Sequence, residues 1–587
     1  MPLAAALLTS AWCLAAGRLL LRQWAFAFAA GAALVSTMVV LLGLLGWAYP
    51  AVFAVSAVFT IAACVAIRRP QMRWSWPRFS VWGWGAAALF LTFGIFYLVN
   101  AAAPETSADG SGYHLSVVRR YFNAHRLLPI RTSMYAMFPQ GMEMLFWVAY
   151  AFGRHSAAAL VHFATLIALA AAMISYGRQF LTALAGTAAA LIVFVAPVLG
   201  LDATSAYVDS ALALSGFSVF ALLQVWDANR EDRMLLVAAG LAAGFCFAIK
   251  YTGFVAVVYA IGLVAFRARQ IRPVLLIAAA AALVMSPWII RNWVWYQNPT
   301  APFFSRLFPN PNIRASVEEA YRQSMRHYNG ARLDWGTPAE LTLRGGVLQG
   351  TLGPIFLLAP IGLLALRTRQ GRQSMLAAVV FAVPYLANMG TRFLIPVLPF
   401  VALAMMSAVS AWRAAPLAFV IVQAIASWPG VLKQYCAPYN WRLDRFPIQA
   451  ALRIEPESAY LEHYFAPWYQ VTQMLQANTS PSAIIYTAQP LPEAYTDRTI
   501  WLHYAAARPN RVQDLLTVAL QYPDVRMPST AVIRELGVTH LLIHDAEPLG
   551  PAMAADPAAW GLRIAGRTVP MTLYEIMIDT SAQRRNN

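Results

Sequence analysis

About fourteen stretches of this chain are apolar for long enough to cross a bilayer, and that repetition restricts the possible folds more than any short motif does. A hydrocarbon core about 30 Å thick takes roughly 20 apolar residues per helix. Windows of this kind lie at 3–21, 24–47, 50–67, 81–100, 156–176, 181–200, 207–227, 234–249, 252–267, 273–290, 346–366, 374–389, 393–411 and 415–430. Hydrophobic residues make up 59% of the 587 and charged residues only 12%, about half the usual charge, so there is too little polar surface for a soluble exterior. The predicted fold is a polytopic α-helical membrane protein of about 12–14 transmembrane helices with a small soluble α/β domain at its C-terminal end.

The formal charge of +17 would suggest nucleic acid in a soluble protein, but its distribution argues otherwise. After position 432 the chain carries 13 basic and 14 acidic residues, so the whole excess belongs to the apolar part. Membrane lipids and a phosphorylated lipid substrate are the expected partners, and nucleic acid is not. Short Arg-rich links should face the cytoplasm: Arg68, Arg69, Arg73 and Arg78; Arg230 and Arg233; Arg267, Arg269 and Arg272; Arg367, Arg369 and Arg372. Loops at about 101–155 and 291–345, and everything after 431, then lie on the opposite side. The first span lacks a basic leading region, so a cleaved signal peptide is not expected. Cys13, Cys64 and Cys246 sit in apolar runs and only Cys436 in a polar one, which does not make a disulfide framework.

Residues 1–431 are thus expected to form the membrane domain and 432–587 an outer α/β domain. In the tail, apolar runs shorten to strand length at 483–486, 540–543 and 572–576. Residues 528–537 read as a capped helix closed by glycine.

Few ionisable residues stand where they could do chemistry. Asp109, in Glu105-Thr-Ser-Ala-Asp-Gly-Ser-Gly-Tyr113-His114, is expected on a glycine turn at the membrane surface, with Tyr113 and His114 sharing its surroundings. It reads either as a general base beside an acceptor hydroxyl or amine, or as a solvated turn aspartate. Asp209 opens an apolar span, where a carboxylate is costly unless it faces a polar cavity or a partner. If 202–209 were helical, Asp202 and Asp209 would share a face, although capping the following span suits Asp202 better. Lys250, Arg291 and Arg392 lie where a lipid phosphate could be held. Each alone could be a snorkelling interfacial cation, but three beside two carboxylates form a constellation. No Walker loop, zinc-binding helix or paired Cys-x-x-Cys appears, and the residues require no cofactor while leaving a divalent cation open.

Taken in order, these segments resemble the GT-C superfamily of polytopic membrane glycosyltransferases. The resemblance rests on Asp109 with Tyr113 and His114, then Phe138-Pro-Gln-Gly-Met-Glu-Met-Leu145 and Tyr207-Val-Asp209. It continues through Lys250-Tyr-Thr-Gly253, Ser286-Pro-Trp-Ile-Ile-Arg-Asn-Trp293 with Asn298-Pro299, and Arg392-Phe-Leu-Ile-Pro396. It implies inverting transfer of a sugar from a polyprenyl-phosphate donor to a lipid, glycan or protein acceptor on the extracytoplasmic side of a bacterial inner membrane. Asp109 would be the base, with Tyr113, His114, Asp202, Asp209, Lys250, Arg291 and Arg392 binding substrate, and Tyr135 and Trp293 available to stack on sugar rings. Two departures stand out: Gly110 replaces the second acid of an Asp-Glu pair found in several relatives, which weakens any metal role, and three spans precede the family's usual first helix. The competing readings are a lipid-linked oligosaccharide flippase or secondary transporter, and a non-catalytic envelope polysaccharide assembly protein.

Overall fold

The computed structural model describes residues 1–68, 80–412, 414–438 and 445–577; Arg69, Arg73 and Arg78 lie outside the described residues. The first thirteen helices are α1 (Pro2–Leu20), α2 (Trp24–Leu45), α3 (Pro50–Arg68), α4 (Val81–Ala102), α5 (Leu115–Ala124), α6 (Gly141–Phe180), α7 (Ala183–Phe194), α8 (Pro197–Ala203), α9 (Asp209–Ala228), α10 (Arg233–Ile249), α11 (Phe254–Ala268), α12 (Ile271–Tyr296) and α13 (Ala315–Arg326). Further helical segments at Pro354–Arg367, Arg369–Ala382, Thr391–Val409 and Ala414–Ala426 complete the apolar part. Among the described residues nine helices are long and apolar enough to cross a membrane, or ten if the bent pair α7 and α8 is one span, with three shorter apolar helices beside them. The protein is therefore a polytopic helical membrane protein carrying a small mixed sheet.

Several helices differ from their hydropathy windows for identifiable reasons. α6 begins at Gly141, well inside the expected first loop, and consists of two helical stretches that meet at a kink at Arg154, whose φ 59° and ψ −150° are not helical. The window at 181–200 is bent by 67° where Val195 and Ala196 precede Pro197, whose ring cannot continue the ladder of α7. Residues 202–209 are not one helix either. α8 ends at Ala203 and α9 starts at Asp209, so the shared helical face considered for Asp202 and Asp209 does not exist.

The N-terminal helices α1 and α2 cross in backbone contact. A Cβ at Gly31 would stand 1.7 Å from the Cys13 carbonyl oxygen, and one at Gly17 would stand 1.8 Å from that of Ala27. Small residues permit such approaches in membranes, where dispersion contacts between helices replace a hydrophobic driving force. Gly31→Leu is expected to lower the thermal midpoint in detergent by several degrees, from an overpacking cost of about 1–3 kcal/mol. Gly85→Leu, at a position with nothing within 4 Å, should leave it unchanged.

Three Arg-rich links meet at one end of the bundle. The Asp227 carboxylate pairs with Arg230 at 2.5 Å, with Arg267 at 2.8 Å and with Arg369. The two long loops and the tail gather elsewhere: Met134 N–H donates to Ala505 O at 2.7 Å, Ala507 N–H to Asn312 O at 2.8 Å, and Arg314 to Asp514 at 2.6 Å.

The tail sheet has five strands, β1 (Ile484–Thr487), β2 (Thr499–Leu502), β3 (His540–His544), β4 (Leu562–Thr568) and β5 (Met571–Ile576), in the order β2-β1-β3-β5-β4. β1 pairs in parallel with β2 and β3, whereas β5 runs antiparallel to β3 and β4. Strands β2 and β4 were not among the sequence expectations; polar Thr499 and Arg563-Gly566-Arg567 break their apolar runs. Both faces are covered. Tyr486, Leu541, Ile543 and Tyr574 pack on one side, and Ile485, Leu542 and Leu573 on the other, which explains the unbroken apolar run at 541–543. The expected helix at 528–537 spans Arg526–Glu535, with Gly537 at φ 103° just beyond its end.

Candidate active site

The segment carrying Asp109 is helical rather than a turn. Asp109 has φ −72° and ψ −39°, and it leads into a widened π-turn over Gly110–His114 that continues as α5. Insertions of this kind re-aim side chains and recur at functional sites. Gly110 is needed for close approach, since a Cβ there would lie 2.5 Å from Ser107 Oγ and 3.0 Å from Glu105 Cδ. Glu105 itself is buried and fastens this segment: Oε1 accepts from Ser107 N–H and Oε2 from Ala206 N–H, both at 2.6 Å. Its carbonyl accepts from the Tyr495 hydroxyl at 2.7 Å, so the tail domain is tied to the same point.

Six of the residues singled out in the sequence line one cavity of about 410 Å³: Asp109, Tyr113, His114, Asp209, Lys250 and Arg392. A volume of this size suits a small ligand or a sugar with its linking group. Its charged groups come in pairs. Arg392 Nη2 donates to Asp109 Oδ2, with both side chains about one quarter exposed. Lys250 Nζ donates to Asp209 Oδ1 at 2.8 Å. Lys250 reaches this place because the chain between α10 and the one-turn helix Tyr251–Gly253 is extended there, with φ −160° and ψ 138°. The third pair is His114 Nδ1 with Glu143 Oε1 at 2.6 Å.

Burial alone would raise the Asp109 carboxyl, but the Arg392, His114 and Lys250 charges outweigh it and hold Asp109 below the ordinary aspartate value. It is ionised throughout the neutral range. For Tyr113, burial first and the Asp109 charge second push the hydroxyl well above its ordinary value, leaving a neutral donor. Much of the rest of the wall is aromatic. Tyr113 and Tyr135 stack at 4.2 Å with planes 8° apart, Arg392 lies over Tyr207 at 4.8 Å, and Lys250 lies over Phe393 at 4.3 Å.

Two residues from the expected set do not line this cavity. Asp202 is 1% exposed, and its Oδ2 accepts from Ser210 N–H at 2.9 Å in the first turn of α9. That is a capping bond made from outside the helix, and it steadies Asp209 next door. Arg291 is buried with Nη2 on the carbonyls of Met137 at 2.9 Å and Phe138 at 2.8 Å, and Nη1 on Gln140 Oε1 at 3.1 Å. These three bonds brace the turn that presents Phe138 to the cavity, while Nε donates to the neighbouring Asn292 Oδ1 at 3.0 Å. Trp293 is exposed on the outer face of α12, and Tyr135 lines the cavity. Among the described residues no three His, Cys, Asp or Glu side chains form a metal-holding group, and the cavity carboxylates have cationic or imidazole partners. The donor set does not fit a divalent cation.

Glu143 is the main site residue that the sequence reading passed over. A Glu three residues into an apolar helix was a usable signal, because an ionisable group inside a membrane helix marks function by default. Tyr321 and Arg322 of α13 also line the cavity, and their low-hydropathy loop carried no such signal.

Neither a family model nor a curated protein sequence matches this chain. Solved structures do share its architecture, among them the following two. ArnT from Cupriavidus metallidurans bound to undecaprenyl phosphate aligns with a TM-score of 0.53 at 14% identity, over 85% of this chain and 99% of that one. The same protein in the apo state aligns with a TM-score of 0.50 at 14% identity, over 84% and 97%. With its polytopic helical part and its C-terminal mixed sheet, this chain has the ArnT-like GT-C fold.

Proposed function

We propose that the protein transfers a sugar from a polyprenyl-phosphate donor to an acceptor on the extracytoplasmic side of the membrane, with inversion at the anomeric carbon. The observation that carries this reading is the pairing of Asp109 with Arg392 and of Asp209 with Lys250 around a single aromatic cavity. The arrangement supplies both ends of such a reaction. Arg392 and Lys250 are placed to hold the phosphate, Arg through a planar fork and Lys as a point charge. Asp109 is ionised and beside them.

In the step itself an acceptor oxygen or nitrogen forms a bond to the anomeric carbon while the bond from that carbon to the phosphate oxygen breaks. The acceptor's proton goes to Asp109, and the polyprenyl phosphate leaves with the electron pair of the broken bond. Arg392 serves both partners. As the phosphate arrives its guanidinium turns toward the new anion, which frees Asp109 and raises its basicity when the acceptor loses its proton. Asp209 orients Lys250, Asp202 secures the start of α9, and Arg291 braces the wall at Phe138. The structural relative bound to undecaprenyl phosphate supports the choice of lipid carrier.

The purified protein in detergent or liposomes, given undecaprenyl-phosphate mannose or arabinose and a membrane lipid extract as acceptor, is expected to release undecaprenyl phosphate and form a glycosylated product of opposite anomeric configuration. Movement of the intact donor across liposomes with no product would instead establish a flippase.

A further inference from the structure

The third pair in the cavity differs from the other two. His114 and Glu143 are 6% and 5% exposed, and Glu143 Oε1 meets His114 Nδ1 at 2.6 Å. The other carboxylate oxygen, Oε2, is buried without a hydrogen-bond partner among the described residues, although Glu143 lines the cavity. Buried carboxylate oxygens are normally satisfied, and an unmet one calls for a water or a ligand. The backbone just before Glu143 is held in place. The start of α6 is wedged against α10, where a Cβ at Gly141 would lie 2.9 Å from the Ala248 carbonyl, and Ser36 Oγ bonds the Gly141 carbonyl at 2.8 Å.

We propose that Glu143 and His114 form a subsite for hydroxyl groups of the transferred sugar, with Glu143 as its specificity-determining residue. This inference rests on the sugar-transfer reading and deepens it. A carboxylate oxygen accepts hydrogen bonds, so the unmet Oε2 calls for a donor and offers nothing to phosphate oxygens. The phosphate is thereby turned toward the cations of the cavity, Arg392 and Lys250 among them, while a sugar hydroxyl can donate to Oε2. With Nδ1–H directed at Oε1, the His114 Nε2 remains for a second, neighbouring hydroxyl. The Tyr113 ring beside His114, with centroids 4.2 Å apart, adds an apolar surface for sugar C–H groups.

The test compares binding of undecaprenyl phosphate alone with binding of its mannose and arabinose conjugates to full-length wild-type, Glu143→Leu and Glu143→Gln proteins. In Glu143→Leu the affinity for both conjugates should fall about 10- to 100-fold while that for undecaprenyl phosphate changes by less than about twofold. Glu143→Gln keeps an acceptor oxygen and should fall between. Should Glu143→Leu fail to fold, Glu143→Gln alone still carries the comparison. Equal weakening of conjugates and bare carrier would mean a structural role and overturn the subsite, as would unchanged affinity for the conjugates. A wild-type protein that binds no undecaprenyl phosphate would instead defeat the sugar-transfer reading.

Discussion

Asp109→Asn is expected to lower turnover of a polyprenyl-phosphate sugar by about 10²- to 10⁴-fold, the range that a positioned proton acceptor contributes. Asparagine keeps the shape of the side chain and loses only its charge and basicity. The helical turn that carries it is held by Glu105 through Ser107 and Ala206, so the fold has little reason to change. Donor binding provides the second readout. With no carboxylate opposite it, Arg392 is free to face the phosphate, so affinity for undecaprenyl phosphate should hold or improve while turnover collapses. Wild-type turnover in this variant would remove Asp109 as the base. A parallel loss of carrier binding would show that it acts by shaping the phosphate site.

Arg392→Leu is expected to cost about 10²- to 10³-fold in kcat/KM, the loss seen when one preorganised donor to a developing charge is removed. It should also change the pH profile. In the wild type Arg392 is the largest of the charges that hold Asp109 below its ordinary value, so the acid limb set by Asp109 lies below the ordinary aspartate range. Without the guanidinium, burial opposes only His114 and Lys250, and the Asp109 carboxyl rises. The acid limb therefore moves upward, and activity at about pH 5 falls relative to activity at about pH 7. Arg392→Lys should restore the position of the limb and only part of the rate, because an ammonium supplies charge but not the two parallel hydrogen bonds. An acid limb that stays in place in Arg392→Leu would show that this pair does not control Asp109.

The helical elements were legible because a membrane span must satisfy its own backbone and present apolar side chains, both of which appear in a window of about 20 residues. Where the reading erred, a local pattern had been given the wrong weight. Gly110 and Gly112 looked like turn residues and serve a π-turn. Glycine at 110 reports close approach to Glu105 and Ser107, and a one-dimensional pattern cannot separate that from a need for unusual backbone angles. In the tail, β1, β3 and β5 were visible as buried apolar runs. The edge strands β2 and β4 were not, since an edge is shielded on fewer sides and tolerates Thr499 or Arg563.

The site divides along the same line. Asp109, Asp209, Lys250 and Arg392 announced themselves as charges in apolar surroundings, where each ion must have a reason to be present. Composition and hydropathy pointed to the membrane part, to a C-terminal region of different composition and to the short roster of ionisable candidates. Partnership came from three dimensions alone. Arg392 meets Asp109 across 283 positions, Lys250 meets Asp209 across 41, and Arg291 spends itself on carbonyls 153 and 154 residues away. A cation at a helix end has the same local pattern whether it braces a turn or faces a cavity, because the difference lies in which acceptors the fold brings within about 3 Å of it. Glu143, unremarkable beside Met142 and Met144 in the chain, becomes a candidate for sugar recognition only once the packing of α6 against α10 leaves one of its oxygens unmet at the cavity wall.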